Sequence, residues 1–327
     1  VSGSLSIVIP SHNRADLLAV CLASVRRHAP PDTEVLVVDD GSPDAGISMV
    51  AATAGVESLR LARQQGFCMA ANAGLRAVRG DFVELLNDDT EVTAGWATSA
   101  LKTFADPTVA AVAPLVLQRK GNGTPRSRFG LVQERIDSAG DRYYVGGIAG
   151  KRGHGGVIRN DLLQPCRVFG ASGSSAFYRR EAVLRVGAFP ESFGAYFEDV
   201  DLAFRLHRAG FTIRFEPASR VWHHGAASHG PPRRRLLEQQ SRNEERVFWR
   251  NIPTRELWRA LPRHFAVVAA KAARRWHEGA LRPFLTGRLR VLAEVRELHH
   301  HRRWLNTLGP AVGVEQWNVE RTFWDSW

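Results

Sequence analysis

Apolar residues follow two rhythms along the first 90 positions of this chain, and the two alternate. Residues 5–10 (Leu-Ser-Ile-Val-Ile-Pro) form a short apolar run closed by proline, as a buried strand does. Residues 15–28 then set Leu17, Leu18, Cys21, Leu22 and Val25 at helical spacing on one face. Glu34–Val38 reads as a second strand, 44–54 as a weak helix, Val56–Leu61 as a third strand, and 67–79 as a helix entered through Gly66. Phe82–Leu86 is a fourth apolar run. Strands and helices alternating in this way predict an α/β fold with a mainly parallel central sheet flanked by helices.

The rhythm loosens after Val116. Residues 119–165 are rich in Gly, Arg and Asp and carry little periodicity, which predicts a long excursion built as a hairpin with a loop. Order returns at Cys166–Tyr178, in helices over 179–186 and 199–209, and in short strands over 212–216 and 219–223. Beyond Pro231-Pro232 the spacing is helical over 232–250, 254–276 and 283–306, with Pro262 placed to kink the second of these helices. The predicted organisation is an α/β domain over 1–230 and a basic, amphipathic helical region over 231–327.

Charge sharpens that division. The 327 residues carry a net charge of +11, but residues 1–230 hold 25 Lys/Arg against 23 Asp/Glu, and residues 231–327 hold 19 against 10. Basic helices bearing Trp and Phe suit an anionic membrane surface. The same stripes would also pack on the α/β domain or on a second copy in a homo-oligomer. Charge without a recognition motif gives no reason to expect a nucleic-acid partner. The three cysteines (Cys21, Cys68, Cys166) are far apart and form neither a metal pattern nor a disulfide framework. No export signal opens the chain, and no 18 apolar residues run together. These features lead us to expect a cytoplasmic protein, peripheral on the inner face of the membrane.

The chemistry gathers where apolar runs stop. Phe82–Leu86 ends at Asn87-Asp88-Asp89, so a buried strand delivers two carboxylates to the carboxyl edge of the sheet, where open α/β folds bind ligands. Adjacent carboxylates stay ionised only when a cation answers them. A hard divalent metal on a diphosphate is one such answer. Other strand ends carry Pro10-Ser11-His12-Asn13-Arg14 and Val38-Asp39-Asp40-Gly41-Ser42, and no glycine-rich phosphate loop follows any strand. Glu198-Asp199-Val200-Asp201 opens a helix, where carboxylates are also favoured by the helix dipole alone.

Taken together these segments resemble family 2 inverting glycosyltransferases of the GT-A fold. The resemblance rests on Val8 to Arg14, Val37 to Ser42, Gln65-Gly66-Phe67 through Asn72 to Phe82, and Leu86 to Thr90. It continues in Gly170 to Gly173, in Phe197 to Leu202, and in Val221-Trp222-His223-His224-Gly225, the last as in rhamnosyltransferase-like and galactofuranosyltransferase-like bacterial members. The resemblance implies a metal-dependent transfer from a UDP- or dTDP-sugar to a lipid-linked or polysaccharide acceptor in cell-surface glycan synthesis. It implies nucleotide-sugar contacts at Pro10, His12, Asn13, Arg14, Asp40, Gly66, Asn72 and Asp88. Asp40 would take the pyrimidine, His12 would stack on it, and Asp88 would serve the ribose or diphosphate. Asp89 and His223 would hold Mn²⁺ or Mg²⁺, Asp199 would be the general base, and Glu198 and Gly173 would face the acceptor. His223 and His224 are adjacent, so on a strand only one points to the metal. The chain departs from its relatives at Asp88, where many carry Pro, and at Pro190, where they carry Asp. The alternative is a GT-A-like module that binds nucleotide or glycan without turnover, tethered by its helical tail.

Overall fold

The computed structural model describes residues 3–119, 134–225, 234–309 and 313–322. The chain begins β1 (Leu5–Ser11), α1 (Ala15–His28), β2 (Glu34–Asp39), α2 (Gly46–Thr53), β3 (Glu57–Arg60), α3 (Phe67–Ala77), β4 (Phe82–Leu86). These are the alternating elements expected from the sequence, with ends shifted by a residue or two. Next come β5 (Thr90–Val92), α4 (Trp96–Thr103) and β6 (Val109–Gln118), then β7 (Ile136–Ser138), β8 (Asp141–Tyr144) and β9 (Ile148–Lys151). β10 (Cys166–Arg167), β11 (Ser175–Arg179), α5 (Arg180–Arg185), α6 (Glu198–Arg208) and β12 (Thr212–His223) follow. The C-terminal region holds α7 (Arg234–Asn251), α8 (Thr254–His277), α9 (Leu281–Arg290), α10 (Val295–Leu308) and β13 (Val319–Glu320).

The central sheet runs β10-β12-β6-β11-β4-β1-β2-β3, with β5 added to β12 and β7 to β6. From β4 to β3 every pairing is parallel. Beyond β4 the sheet is mixed: β11 lies antiparallel between β4 and β6, and β6 pairs parallel with β12. The two short strands expected over 212–216 and 219–223 are one strand, interrupted by a register shift between Glu216 and Arg220.

Side-chain alternation along the strands builds a core on each face. Leu5, Ile7 and Ile9 of β1 join Phe82, Leu86 and Trp96 under α1, α2 and α4. Val8 faces the other way, with Val83 and Leu85, into the cluster beneath α3 and α6. Gly74 lets α3 press onto β1, since a Cβ there would sit 2.3 Å from Cγ1 of Val8.

The excursion after Val116 contains the expected hairpin, β8–β9, which β13 from the far end of the chain extends in parallel. Residues 120–133 of that excursion lie outside the described residues. Trp317 is buried and stacks on His207, while Trp324 and Trp327 lie outside the described residues. Part of the basic region packs on the α/β domain: Val247, Phe248 and Ile252 belong to the same buried cluster as Phe169, Phe204 and Phe215. Helix α8 continues through Pro262 without interruption.

Candidate active site

Strand register brings distant segments to one edge. Ser175 of β11 pairs with Leu86 of β4, so the 170–174 loop arrives beside Asn87, whose N–H donates to the Ser174 carbonyl at 3.0 Å. His223 pairs with Thr90, so the end of β12 arrives beside Asp89. β1 lies between β4 and β2, so its carboxyl end carries Ser11 to Arg14 alongside.

Both members of the acidic pair are buried. Asp88 accepts from the Ser11 hydroxyl at 2.6 Å and meets Arg14 Nη2 at 2.7 Å. Burial pushes its pKa up to about 6, with Arg14 and Ser11 working the other way. Asp89 lies 3.2 Å from His223 Nε2 and 3.5 Å from Arg14 Nη1. Burial opposes ionisation of Asp89, but His223 and Arg14 outweigh it and hold the carboxyl below its ordinary range. His224 turns the other way, onto Glu91 at 2.8 Å, so His223 is the histidine that faces the pair.

The far side of His223 is also engaged. Its Nδ1 is 3.2 Å from Asp137 on β7, whose carboxylate also binds Lys151 Nζ of β9 at 2.7 Å. Burial works to deprotonate His223, but Asp137 and Asp89 outweigh it and lift its pKa to about 9. Asp137 and Lys151 sit in the excursion whose sequence offered no periodic signal. Neither was legible as a site residue.

Two carboxylate oxygens, Asp88 Oδ1 and Asp89 Oδ1, are buried without a hydrogen bond of good geometry, although Arg14 and His223 approach them. Among the described residues no three carboxylate, imidazole or thiol groups converge as a ready ligand set. A hard divalent ion that takes one or two protein ligands and fills its shell from substrate phosphates fits Asp89 and His223, with Asp88 at hand.

On the nucleotide side, both oxygens of Asp40 accept backbone N–H bonds, from Gln65 at 2.7 Å and Gly66 at 2.8 Å. Gly66 has φ +95, and a Cβ there would lie 3.1 Å from the Gly194 carbonyl, so glycine is required on both counts. His12 Nδ1 contacts the Asp40 carbonyl at 2.9 Å, and the Asn13 N–H donates to the Ser42 hydroxyl at 3.0 Å. Pro10 is buried within β1. Like Asp40, Asn72 is engaged within the protein. Its amide is buried and holds both the N–H and the carbonyl of Phe189, and also Glu191. It ties α3 to the loop before α6.

Asp199 is the second residue of α6, after Glu198, and the helix is entered through two left-handed positions, Tyr196 (φ 71) and Phe197 (φ 67). Its carboxylate accepts the Gly173 N–H at 2.9 Å and the Val200 N–H at 2.8 Å. Burial raises its pKa, and the two N–H groups and Lys151 act against the rise. Glu198 is buried beside it with one oxygen unpartnered, and its pKa is raised well above the ordinary value by burial and by Asp199. Gly173 is the contact between these groups: a Cβ there would lie 3.3 Å from Glu198 Oε1, 3.6 Å from Asp199 Oδ2 and 3.9 Å from the Phe67 ring. Asp201 points away, into Arg205 at 2.8 Å and Asn251 at 2.7 Å.

Residues 6–187 match the family described as Glycosyl transferase family 2. The chain belongs to that family. The chain is 32% identical over 221 residues to the pre-mycofactocin glycosyltransferase of Mycobacterium tuberculosis, a match covering 67% of this chain and 42% of that protein. It is 28% identical over 241 residues to that organism's N-acetylglucosaminyl-diphospho-decaprenol L-rhamnosyltransferase, covering 69% of this chain and 78% of the relative. The structure of GalNAc-T7 with UDP, GalNAc and Mn²⁺ superposes with a TM-score of 0.56 at 18% identity, over 76% of this chain and 50% of that one. The mannosyltransferase PcManGT of Pyrobaculum calidifontis, with GDP-Man and Mn²⁺, gives 0.53 at 20% identity, over 94% and 84%. The fold of this chain is thus GT-A, a central sheet flanked by helices with a helical C-terminal region.

Proposed function

We propose that this chain transfers a sugar from a UDP- or dTDP-sugar to a hydroxyl of a lipid-linked or polysaccharide acceptor, with inversion, in bacterial cell-surface glycan synthesis. The observation that carries the reading is the meeting, at one sheet edge, of the Asp88–Asp89 pair, His223 and the buried base candidate Asp199. Asp40, His12, Asn13, Arg14, Gly66 and Asp88 form the nucleotide side. Asp89 and His223, the latter after giving up its proton, would hold Mn²⁺ or Mg²⁺, which when bound would neutralise charge on the leaving diphosphate.

Asp199 takes the acceptor proton as the hydroxyl oxygen forms its bond to the anomeric carbon. The bond from that carbon to the diphosphate oxygen breaks on the opposite face. A carboxylate with a raised pKa suits this task, since it accepts a proton more readily than an exposed one. Two backbone N–H groups fix its orientation, and Glu198 and Gly173 border the acceptor. One displacement inverts the centre and needs no covalent nucleophile.

The partner of the basic region is an anionic membrane surface. Helices α8, α9 and α10 enclose an open apolar groove of about 570 Å³ that includes Leu257, Phe265, Leu289, Leu292 and Val295. Trp258 and Trp276 on α8, and Leu292 in the turn between α9 and α10, are largely exposed. Residues 254–308 hold 12 Lys/Arg against 4 Asp/Glu, a balance that attracts anionic lipid and opposes a second copy of the same face. Among the described residues no helix is long and apolar enough to cross a membrane. On this reading the charge and the exposed apolar residues of the region lie against an anionic lipid surface.

A thermal-shift panel of nucleotide-sugars with and without Mn²⁺ tests the catalytic reading. A true donor raises the melting temperature by mass action, and more so with the metal. A flat panel under both conditions would count against it.

A further inference from the structure

The segment that presents Asp199 is held from outside the matched family region. Residues 192–197 enter α6 through Gly194 (φ 70), Tyr196 (φ 71) and Phe197 (φ 67), and two of these are bulky aromatics in the left-handed region. Such a backbone persists only where its surroundings over-determine it. Within it the carbonyls of Phe193, Gly194 and Phe197 accept the N–H groups of Ala195, Cys68 and Asp201, while those of Ser192, Ala195 and Tyr196 take donors from elsewhere. Helix α7 supplies them. Buried Asn243 sets its Nδ2 within 2.9 Å of the Phe193 carbonyl and 3.0 Å of the carbonyls of Ala195 and Tyr196. Gln239, one turn earlier, reaches the Phe193 and Ala195 carbonyls at 2.8 and 3.2 Å. Arg246 donates to the Ser192 carbonyl at 2.9 Å, and Arg246 and Arg250 lie over the Phe193 ring at 5.4 and 5.2 Å. Past the turn, Asn251 and Arg250 hold Asp201 on α6 at 2.7 and 3.2 Å.

We propose that α7 is a catalytic clamp, in which Asn243, backed by Gln239, fixes the left-handed Tyr196–Phe197 turn and so sets the position of the Asp199 carboxylate. Asn243 is a positioning residue: it touches the backbone that carries the base, and no reacting group. Its two N–H groups are shared among three carbonyls; Gln239 also reaches those of Phe193 and Ala195, and Asn243 is the one of the two that reaches the carbonyl of the left-handed Tyr196. The C-terminal region then has a role in catalysis distinct from any surface it docks on. The proposal rests on the reading of Asp199 as the base.

The test uses the full chain and three variants: Asn243→Asp, which keeps size but turns a donor into an acceptor facing carbonyls; Asn243→Ala; and the milder Gln239→Ala. Hydrogen–deuterium exchange, UDP binding with Mn²⁺ by calorimetry, and nucleoside diphosphate release from UDP-glucose, UDP-galactose and dTDP-rhamnose are measured on each. Both Asn243 variants are expected to speed exchange at amides 194–200 by about tenfold or more. We expect kcat to fall roughly 10- to 100-fold, as for a base displaced by about an ångström, with the donor KM and the UDP affinity within about threefold of wild type. Gln239→Ala should show the same pattern at smaller size, and it stands in for Asn243 variants that fail to fold. Exchange at 194–200 and turnover both within about twofold of wild type in the folded variants would overturn the clamp. Wild-type turnover in Asp199→Asn would instead sink the base assignment alone, and the exchange result would still decide the clamp.

Discussion

Replacing Asp199 with Asn separates chemistry from binding. The wild-type carboxylate accepts one N–H on each oxygen, from Gly173 at 2.9 Å and from Val200 at 2.8 Å. Asparagine keeps one acceptor oxygen and turns an NH₂ toward the other N–H. That loses a hydrogen bond to a charged group, about 1.5–3 kcal/mol, and relieves the burial of a carboxylate that desolvation already opposes. These terms oppose each other, so the folded state should change by no more than about 1–2 kcal/mol. The amide cannot take a proton, and loss of a general base costs about 10²- to 10⁴-fold in rate, or roughly 3–5 kcal/mol of barrier. The assay is nucleoside diphosphate release at saturating donor and acceptor, with UDP–Mn²⁺ affinity measured alongside. Wild-type turnover should rise with pH as Asp199 ionises. Burial raises its pKa, so that acid limb lies above the ordinary Asp value of about 3.9. Asp199→Asn should lose both the rate and the limb while UDP still binds. Turnover within about threefold of wild type, with the same acid limb, would refute the assignment.

Glu84 gives a stability test in the core beneath the site: it is fully buried, its pKa is pushed up to about 8 by desolvation, and Ser175 and Trp96 donate to it. A raised folded pKa means its contribution is complete below the unfolded value near 4.3 and is lost as pH climbs through 8. Between pH 5 and 8.5 that loss is about 3–4 kcal/mol, so Glu84→Gln should flatten the pH dependence of urea unfolding; an unaltered slope would contradict a protonated Glu84. Asp137→Ala frees His223 from the partner that orients its ring, and Mn²⁺ affinity in the presence of UDP should drop about 10- to 100-fold, whereas an unchanged titration would show that His223 needs no such support. Phe265→Ser with Leu292→Ser should reduce flotation on phosphatidylglycerol vesicles and leave UDP binding intact; equal flotation would remove that groove as the docking face.

Much of this fold was legible because its first half obeys local rules. Each of β1, α1, β2, α3 and β4 has its own period, and the strand ends announce chemistry where the apolar run stops. The acidic pair was read from the apolar run it ends, whereas the roles expected of Asp199 and His223 came from the resemblance to family 2 glycosyltransferases and not from spacing. What escaped the sequence is non-local. Asp137 and Lys151 lie on short strands whose pairing, not composition, makes them neighbours of His223. Asn243 sits among Gln, Arg and Glu on a helix that reads as a polar face, and its three carbonyl partners come from a turn 47 to 50 residues earlier. The opposite happened with Asn72. Its position suggested a ligand contact, yet Phe189, over 100 residues later, takes both ends of its amide. The choice between His223 and His224 depended on the register of β12 against β5, which no local pattern encodes.

The most direct measurement is a calorimetric titration of UDP into wild type and Asp89→Ala, with and without Mn²⁺. The expected result is binding to wild type that strengthens at least tenfold with Mn²⁺, and binding to Asp89→Ala that no longer responds to the metal. Wild-type affinity indifferent to Mn²⁺, or an Asp89→Ala chain that keeps the full metal effect, would contradict a divalent-ion site at the end of β4.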